Sequence, residues 1–298
     1  MNKQGLIITN AFSYRESAKY QCETLKKEFA TLGVDLIHKT NNELLVFVNK
    51  DKVVGNNTLK DFDFVLYFDK DKYISLMLEK LNLKLFNSSQ SIELCDDKML
   101  THIVLTNNGV SMPKTISYPL CYDFNGNLDY LTDVKKHLKY PFIVKENFGS
   151  LGQQVFMIEN DNQLFKIEEK LRFSPHLFQE YVGNKGEDYR LFLIGNEVVT
   201  SMKRMNTNDF RANIFQGGKG SKFNPSEEMK NTAIAASKIL GLDYCAVDFV
   251  VDAKNNPILI EVNSNAYFSE IEKITGVNIA KLYAKYVYNK VYKNTPKS

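Results

Sequence analysis

The chain has 298 residues, of which 44% are apolar and 24% are charged, a composition that excludes a largely disordered protein. The net charge of +3, from 38 basic and 35 acidic residues, is too small to indicate a nucleic-acid partner. No apolar run approaches the length of a membrane span, and the chain length predicts about two or three domains.

The cysteines and histidines show none of the spacings that are typical of a metal site. The cysteines are scattered, which predicts reduced thiols in a cytoplasmic protein: Cys22, Cys95, Cys121 and Cys245. The first apolar run, residues 6–8, is too short for a signal peptide. The histidines have no visible partner in the sequence, which predicts structural or exposed side chains: His38, His102, His137 and His176.

The N-terminal part of the chain alternates between apolar runs and amphipathic stretches. The apolar spacing predicts helices over residues 18–32 and 73–81, the first of them ended by Gly33. This alternation predicts an α/β domain with a parallel sheet. It lacks a G-x-G-x-x-G turn, so no dinucleotide site is predicted. The predicted strands cover residues 5–9, 34–37, 44–48, 64–68 and 83–86.

A hairpin with a glycine-bearing tip is predicted in the middle of the chain. Its strands cover residues 142–145 and 154–158, and the tip contains Gly149-Ser150-Leu151-Gly152. Glycines let backbone N–H groups approach phosphate oxygens closely, and Lys145 adds a positive charge. The same pattern fits a plain hairpin with glycines for turning. The neighbouring elements are a helix that begins at Asp96-Asp97-Lys98, a helix over 161–170 and a strand over 177–182.

The C-terminal part of the chain is predicted to be rich in strands. Strands over 190–194 and 197–202 are joined at Gly195-Asn196, a strong hairpin signal. Residues 203–225 are predicted to be irregular. A basic, glycine-bearing segment of this kind inside a compact domain more often has a function than none. The predicted helices cover residues 226–240 and 279–287.

A second hairpin, over residues 246–263, brings polar side chains together. Symmetric pairing about residues 254 and 255 places Asp248 opposite Glu261, with Asn263 on the same face as Glu261. Opposed carboxylates destabilise a strand pair, so these hard oxygen ligands predict a site for Mg²⁺ or Mn²⁺. A surface hairpin with a solvated polar face is the alternative. The opposite face is predicted to be buried: Val247, Phe249, Ile260 and Val262.

The order of these motifs resembles the ATP-grasp superfamily and, within it, the RimK-like glutamate ligases. The motifs run from a helix beginning D-K through a strand lysine, G-S-x-G, Q-E-Y-V, G-E-D-x-R, F-R-A-N and V-D-F-V to E-V-N. The resemblance implies an α/β and α+β protein with the ATP-grasp fold. It further implies a parallel α/β domain over residues 1–95 and two α+β subdomains, 96–180 and 181–298, that clamp ATP.

The resemblance also implies three sets of site residues. The first set binds ATP: Lys98, Lys145, Gly149, Ser150, Gly152, Gln179, Glu180, Tyr181, Val182, Glu187, Asp188 and Asn213. Within it, the acid that binds the ribose is either Glu187 or Asp188. The second set acts on the transferring phosphoryl group and the anionic substrate: Arg190, Arg204 and Arg211. The third set holds the metal: Asp248, Glu261 and Asn263.

The implied activity is ATP-dependent ligation of a carboxylate to an amine through an acyl phosphate. Such an enzyme adds glutamate or a similar amino acid to an amine acceptor, which can be a small molecule, a peptide or a protein. Family members are often oligomers. Three alternatives stay open: a ligase of the D-alanine–D-alanine or peptide-modifying type, a nucleotide-binding regulatory protein without turnover, and a scaffold partner of protein targets. Ser264-Asn265-Ala266 replaces the usual Ser-Pro-Gly after E-V-N, which leaves the acceptor open.

Overall fold

The computed structural model describes residues 3–13, 15–123 and 128–293. Its N-terminal part is a four-stranded parallel sheet in the order β2-β1-β5-β6, with β3 and β4 forming a separate hairpin. The strands are β1 (Lys3–Thr9), β2 (Val34–Thr40), β3 (Val46–Asn49), β4 (Lys52–Gly55), β5 (Phe64–Phe68) and β6 (Leu85–Phe86). The helices are α1 (Glu16–Thr31), α2 (Lys72–Lys80) and α3 (Ser89–Asp96). The predicted parallel α/β arrangement is confirmed.

The central part contains a four-stranded sheet whose described pairings are antiparallel, in the order β7-β10-β8-β9. Two of its helices, Asp129–His137 and Asp161–Leu171, share one core with the sheet that includes buried Phe142 and Phe178. The elements are α4 (Lys98–Leu105), β7 (Thr115–Ser117), α5 (Asp129–His137), β8 (Phe142–Glu146), β9 (Val155–Ile158), α6 (Asp161–Leu171) and β10 (His176–Glu180).

The C-terminal part contains a five-stranded antiparallel sheet in the order β13-β12-β11-β14-β15. Its strands are β11 (Glu187–Ile194), β12 (Glu197–Met205), β13 (Lys219–Lys222), β14 (Tyr244–Val251) and β15 (Pro257–Asn263). Its helices are α7 (Glu227–Ile239), α8 (Ser269–Thr275) and α9 (Ile279–Tyr288), and a π-helical turn covers Asn289–Lys293. No helix in the described part of the chain has the length and apolar character needed to cross a membrane.

The N-terminal and C-terminal sheets share one hydrophobic core. Phe64 and Phe86 from the first sheet belong to the same buried cluster as Tyr244 and Tyr283 from the last part of the chain. The buried amide of Asn87 also donates to the backbone carbonyls of Tyr244 and Ser264, at 2.8 and 2.9 Å. Asn87, directly after β6, is therefore bonded to the first residue of β14 and to the residue that follows β15.

Several predicted boundaries are corrected by the structure. The strand predicted over 177–182 ends at Glu180, and the segment predicted to be irregular contains the end of β12 and all of β13. The 246–263 hairpin pairs Asp248 with Glu261 as predicted, but a bulge then pairs Phe249 with Leu259. Ile260 lies in this bulge and is only partly buried, so the prediction that it belongs to the core is wrong. Leu259 is buried in its place.

Candidate active site

A cleft lies between the central and C-terminal sheets, and a larger cavity adjoins it on the side of the N-terminal sheet. The cleft encloses about 110 Å³ and the adjoining cavity about 520 Å³. All predicted site residues line the cleft except Arg190 and Asn263, which line the cavity. The cleft and the cavity share part of their lining and are therefore continuous: Ser150, Arg204, Asn213 and Glu261.

Two lysines project into the cleft. Lys98 begins α4, where Asp97 caps the helix, and its Nζ donates to the Gly149 carbonyl at 3.0 Å. The same Nζ lies 4.0 Å from Oε1 of Glu261. Lys145 donates to Oε1 of Gln179 at 2.7 Å across two paired strands. Burial lowers the pKa of Lys98, and it lowers the pKa of Lys145 to about 8. Both cations are thus poorly solvated and suited to an anionic ligand.

His102 supports this arrangement, although the sequence showed no partner for it. The Nε2 atom of His102 lies 3.0 Å from Nε2 of Gln179, which also donates to Oγ1 of Thr115 at 2.9 Å. Burial lowers the pKa of His102 to about 4, so the imidazole is neutral at neutral pH. Buried His176 also has a partner that the sequence does not show, since it contacts Glu168 at 3.0 Å, and both histidines agree with the predicted structural role. No local pattern reveals these pairs.

A hydrogen bond connects the glycine loop, residues 149–152, to the segment after β12. Arg211 donates from Nη1 to the Gly152 carbonyl at 2.8 Å and from Nη2 to the Asp209 carboxylate at 2.7 Å. A Cβ on Gly152 would lie 2.8 Å from Oδ1 of Asn213, and the φ of Gly152 is +72°. Only glycine fits this position without displacing a neighbour. The loop therefore lines the cleft and is bonded to the segment after β12.

Two arginines that were predicted to hold an anion are paired with carboxylates in the structure. Arg190 binds both oxygens of Asp248, and Arg204 binds both oxygens of Asp188 at 2.6 and 2.7 Å. Strand register explains the pairs, because Arg190 faces Asp248 and Asp188 faces Arg204 across the sheet. Arg204 is 2% exposed, so it acts as a support of the sheet, while Arg190 keeps a surface toward the cavity.

The predicted metal ligands fit a hard cation in part. Glu261 is partly exposed at the boundary of cleft and cavity, and Asn263 lies beside Asp248, with Nδ2 at 3.3 Å from Oδ2. These are oxygen-bearing groups of the kind that Mg²⁺ prefers. Both Asp248 oxygens, however, are bonded to Arg190. Among the described residues, no three His, Cys, Asp or Glu side chains form a group that could hold a metal ion.

Residues 181 and 182 connect the two sheets and line the cleft. Because β10 ends at Glu180, the backbone groups of Tyr181 and Val182 are not used by the sheet. The buried Tyr181 hydroxyl has no hydrogen-bond partner among the described residues. Backbone groups that no strand pairing uses, at one wall of the cleft, can bond to a flat, polar ring. This is where the sequence resemblance places adenine.

The architecture is that of the ATP-grasp ligases. A RimK domain protein with the ATP-grasp fold from Sphaerobacter thermophilus superposes with a TM-score of 0.70 at 17% identity, covering 95% of this chain and 99% of that one. The ATP-grasp ligase PsnB, solved with a minimal precursor, Mg and ADP, superposes with a TM-score of 0.70 at 15% identity. The superposition covers 96% of this chain and 97% of PsnB. At these identities the likeness concerns the fold.

The sequence establishes the family to which the chain belongs. Residues 95–287 match the RimK-like ATP-grasp domain, and the chain belongs to this family. N-acetylaspartylglutamate synthase A of Mus musculus is 34% identical over 73% of this chain and 57% of its own length. A probable alpha-L-glutamate ligase of Stenotrophomonas maltophilia is 34% identical over 67% of this chain and 68% of its own length. Protein MG012 of Mycoplasma genitalium is 29% identical over 94% of this chain and 98% of its own length. The chain thus spans little more than half of the mouse synthase.

Proposed function

We propose that the protein is an ATP-dependent carboxylate–amine ligase that uses glutamate as one of its two substrates. The observation that carries this proposal is the continuity of the two cavities at Glu261, with basic Lys98 and Lys145 on the cleft side. A nucleotide in the cleft and a carboxylate in the cavity would meet at this boundary. The names of the mouse and Stenotrophomonas relatives support glutamate.

The proposed reaction has two steps. A substrate carboxylate oxygen attacks the γ-phosphorus of ATP, and the bond to the β-phosphate oxygen breaks, which gives an acyl phosphate and ADP. The amine nitrogen then attacks the acyl carbon, phosphate leaves with the C–O bond pair, and the nitrogen loses a proton. Positioning and electrostatics dominate such a reaction. This fits an active site whose charged groups are lysines, arginines and carboxylates.

The chain's own residues would bind and orient the nucleotide. The backbone of Gln179, Glu180, Tyr181 and Val182 would receive adenine, and the two cleft lysines would pair with the phosphates. The glycine loop of Gly149, Ser150 and Gly152 would cover the nucleotide and exclude water, which otherwise hydrolyses an acyl phosphate. Arg211 and Asn213 would hold that loop in place through the contacts described above.

The metal would be held at the junction of β14 and β15. Glu261, which is partly exposed, and Asn263, which contacts Asp248, would turn toward it, and Asp248 would join them when Arg190 releases its carboxylate. Mg²⁺, or Mn²⁺ in its place, would supply neutralisation of phosphate charge. The neighbour PsnB is described with Mg and ADP, which supports Mg²⁺.

Of the two candidates for the ribose, Glu187 is favoured. Both oxygens of Asp188 are engaged by Arg204, whereas Glu187 lines the cleft with only partial burial. Glu187 is held by Lys203 at 2.9 Å and by the Tyr189 hydroxyl, which fixes its position while leaving acceptor capacity for a sugar hydroxyl.

The test is release of ADP from Mg-ATP with glutamate and a panel of carboxylic acids and amines, followed by mass spectrometry of the products. ADP formation that requires both substrates, with a new amide mass, is the expected result. Glu261→Gln should reduce turnover by about a hundredfold or more, since it removes a charge at the point of phosphoryl transfer. Glu197→Gln, an exposed change on the same sheet, is the matched control.

Two outcomes would contradict the proposal. ATP binding without turnover for any substrate pair would favour a regulatory protein or a macromolecular acceptor. Full turnover in Glu261→Gln would show that the assigned metal side of the site is wrong. A product that joins two D-alanines would instead move the protein to the other ligase type that the sequence leaves open.

A further inference from the structure

A third pocket lies in the central part of the chain, where β7 ends and β10 begins. It is lined by residues 117–121, residues 172–176 and Asn147, and it shares no lining residue with the cleft or with the larger cavity. Its volume of about 380 Å³ is large enough for a small molecule. No step of the proposed ligation uses this pocket.

Asn147 is the clearest sign that the third pocket receives a ligand. The residue lines the pocket and is only 7% exposed. Its Oδ1 atom has no hydrogen-bond partner among the residues that the structure describes. Leaving a buried polar atom without a partner costs free energy, so this oxygen is expected to accept a hydrogen bond from a ligand.

The other walls of the third pocket suit a flat, apolar ring. The ring of Tyr118 stacks on the buried ring of His176, with 4.2 Å between their centroids. Leu120 and Phe173 line the same pocket and are 62% and 60% exposed, which leaves apolar surface uncovered there. Arg172 adds a planar guanidinium group, which can stack on an aromatic ring. The pocket thus combines aromatic and apolar surface with one hydrogen-bond acceptor.

Asn147 also connects the third pocket to the nucleotide cleft. Its backbone carbonyl accepts from the backbone N–H of Lys98 at 3.1 Å and from Nζ of Lys98 at 3.4 Å. Its backbone N–H donates to the carbonyl of Pro175, another residue of the pocket, at 2.8 Å. Only Phe148 separates it from Gly149, where the glycine loop begins. A ligand that holds Asn147 in place would therefore also hold Lys98 and the start of the glycine loop.

We propose that the third pocket binds a flat aromatic ring that carries an N–H donor, and that this ligand strengthens nucleotide binding in the cleft. The N–H group donates to Oδ1 of Asn147, and the ring lies against Tyr118 and Phe173. Indoles and nucleobases share this chemistry. The inference goes beyond the proposed ligation, because the ligand is neither ATP nor one of the two joined substrates, and only the coupling depends on the nucleotide site.

The test compares indole with benzofuran, which has nearly the same shape but lacks the N–H donor. The chain contains no tryptophan, so the fluorescence of added indole can be followed in the full chain without a signal from that residue type. Benzofuran and uracil are measured by displacement of indole. Indole is expected to bind about three- to tenfold more tightly than benzofuran, as one hydrogen bond implies. The tighter of indole and uracil identifies which source of the ring the pocket prefers.

Three variants locate the binding in the third pocket. Asn147→Leu should remove the preference for indole over benzofuran, whereas Asn147→Asp keeps an oxygen acceptor and should retain it. Phe173→Ala should weaken both compounds about three- to tenfold, because it removes an aromatic contact. The matched control is Phe165→Ala on α6, since Phe165 is 46% exposed and lies outside the pocket, and it should leave both affinities unchanged.

The coupling is measured by repeating the indole titration with saturating Mg-ADP. Indole should then bind about fivefold more tightly, and by reciprocity indole should raise the affinity for Mg-ADP by the same factor. Asn147→Leu should show no such change.

The inference is overturned if indole binds no better than benzofuran, or if Phe173→Ala binds both compounds as Phe165→Ala does. Loss of indole binding on addition of Mg-ADP would place indole in the cleft and would also overturn it. An indole affinity that Mg-ADP leaves unchanged would overturn the coupling. Because these titrations contain no carboxylate or amine substrate, their failure differs from a failure of the proposed ligase activity, which the ADP-release assay reports.

Discussion

Arg190 and Asp248 face each other across β11 and β14 and form a two-point ion pair, with nitrogen–oxygen distances of 2.7 and 2.6 Å. Arg204 approaches the same carboxylate at 3.2 Å. Burial alone would raise the pKa of Asp248, but the two arginines outweigh it and lower that pKa to about 2. Asp248 is therefore charged at neutral pH, and its ion pairs connect β14 with β11 and β12 beside the candidate active site.

Replacement of Asp248 by Asn should destabilise the protein at pH 7 by about 3 kcal/mol, because it leaves Arg190 and Arg204 buried without that partner. The pH dependence has a definite sign. The folded pKa of Asp248 lies below the unfolded value of about 3.9, so its contribution is present above about pH 4 and is lost as the pH falls toward 2. Urea unfolding at pH 7, 4 and 2.5 measures both effects.

The variant should lose less stability between pH 4 and pH 2.5 than the wild type does. Asp133→Asn, an exposed change on α5, is the control and should unfold like the wild type. Equal acid sensitivity of Asp248→Asn and the wild type would mean that the ion pair does not govern acid unfolding.

Lys145 should give ATP binding an unusual pH dependence. Burial lowers the pKa of its ammonium group to about 8, so the group loses its charge as the pH rises through that value. Phosphate binds the charged form, and ATP affinity is therefore expected to fall several-fold, roughly two- to tenfold, between pH 7 and pH 9. Titration of Mg-ATP by calorimetry across this range measures the effect.

Lys145→Arg keeps its charge to a much higher pH and should show a flat profile. Lys145→Met should bind ATP more weakly at every pH and also without a slope. A slope that persists in both variants would assign the titrating group elsewhere, with Lys98 as the next candidate, since burial lowers its pKa too.

Local patterns in the sequence predict much of this architecture. The symmetric reading of the 246–263 hairpin places Asp248 opposite Glu261, and the structure confirms this pair. The prediction fails at Ile260, because a bulge shifts the register by one residue and exchanges the faces of the strand. The helix predicted to begin at Ser226 is confirmed, and the structure shows that Ser226 caps it, since its side chain accepts from the Met229 N–H.

The contacts that the sequence could not predict join residues distant in the chain. His102 and Gln179 are 77 positions apart, and neither the helix nor the strand pattern indicates that they meet. The family resemblance assigns Arg190 and Arg204 to an anionic substrate, and the residue type alone does not reveal that each has a carboxylate partner in the fold. The strand register places Asp248 opposite Arg190 and Asp188 opposite Arg204. This register is known only from the assembled sheet.

His102 should affect ATP binding without touching the nucleotide phosphates. His102→Leu removes a partner of the Gln179 amide, whose Oε1 positions Lys145. ATP affinity should fall about three- to tenfold, since one buried polar group loses its hydrogen bond. Because burial lowers the folded pKa of His102 to about 4, wild-type stability should also fall as the pH drops from about 6.5 to 4, where the unfolded chain binds the proton more readily.

The control for this change is His137→Leu, on the exposed side of α5, which should leave both quantities unchanged. Nucleotide titration and urea unfolding at pH 7 and pH 5 separate the two effects. If His102→Leu binds ATP as the wild type does, the Gln179 amide is held sufficiently by Thr115 alone.

The glycine loop offers a comparison between two substitutions that share a backbone conformation. Gly152 has a φ of +72°, and a Cβ there would meet Oδ1 of Asn213 at 2.8 Å; Gly33, after α1, has a φ of +71° and nothing within 4 Å. Alanine at either position should destabilise the fold by about 1 kcal/mol through the left-handed conformation. Gly152→Ala should in addition push the loop away from Asn213 and Arg211.

Gly152→Ala is therefore expected to reduce turnover by about tenfold or more and to raise hydrolysis of ATP without product, because an open loop admits water to the acyl phosphate. Gly33→Ala should retain the ratio of product to ADP. The measurement is amide formed per ADP released, together with the midpoint of thermal unfolding of each variant. Equal ratios in the two variants would mean that the contact between the loop and Asn213 does not control access of water, and that the strain of the backbone alone accounts for any loss.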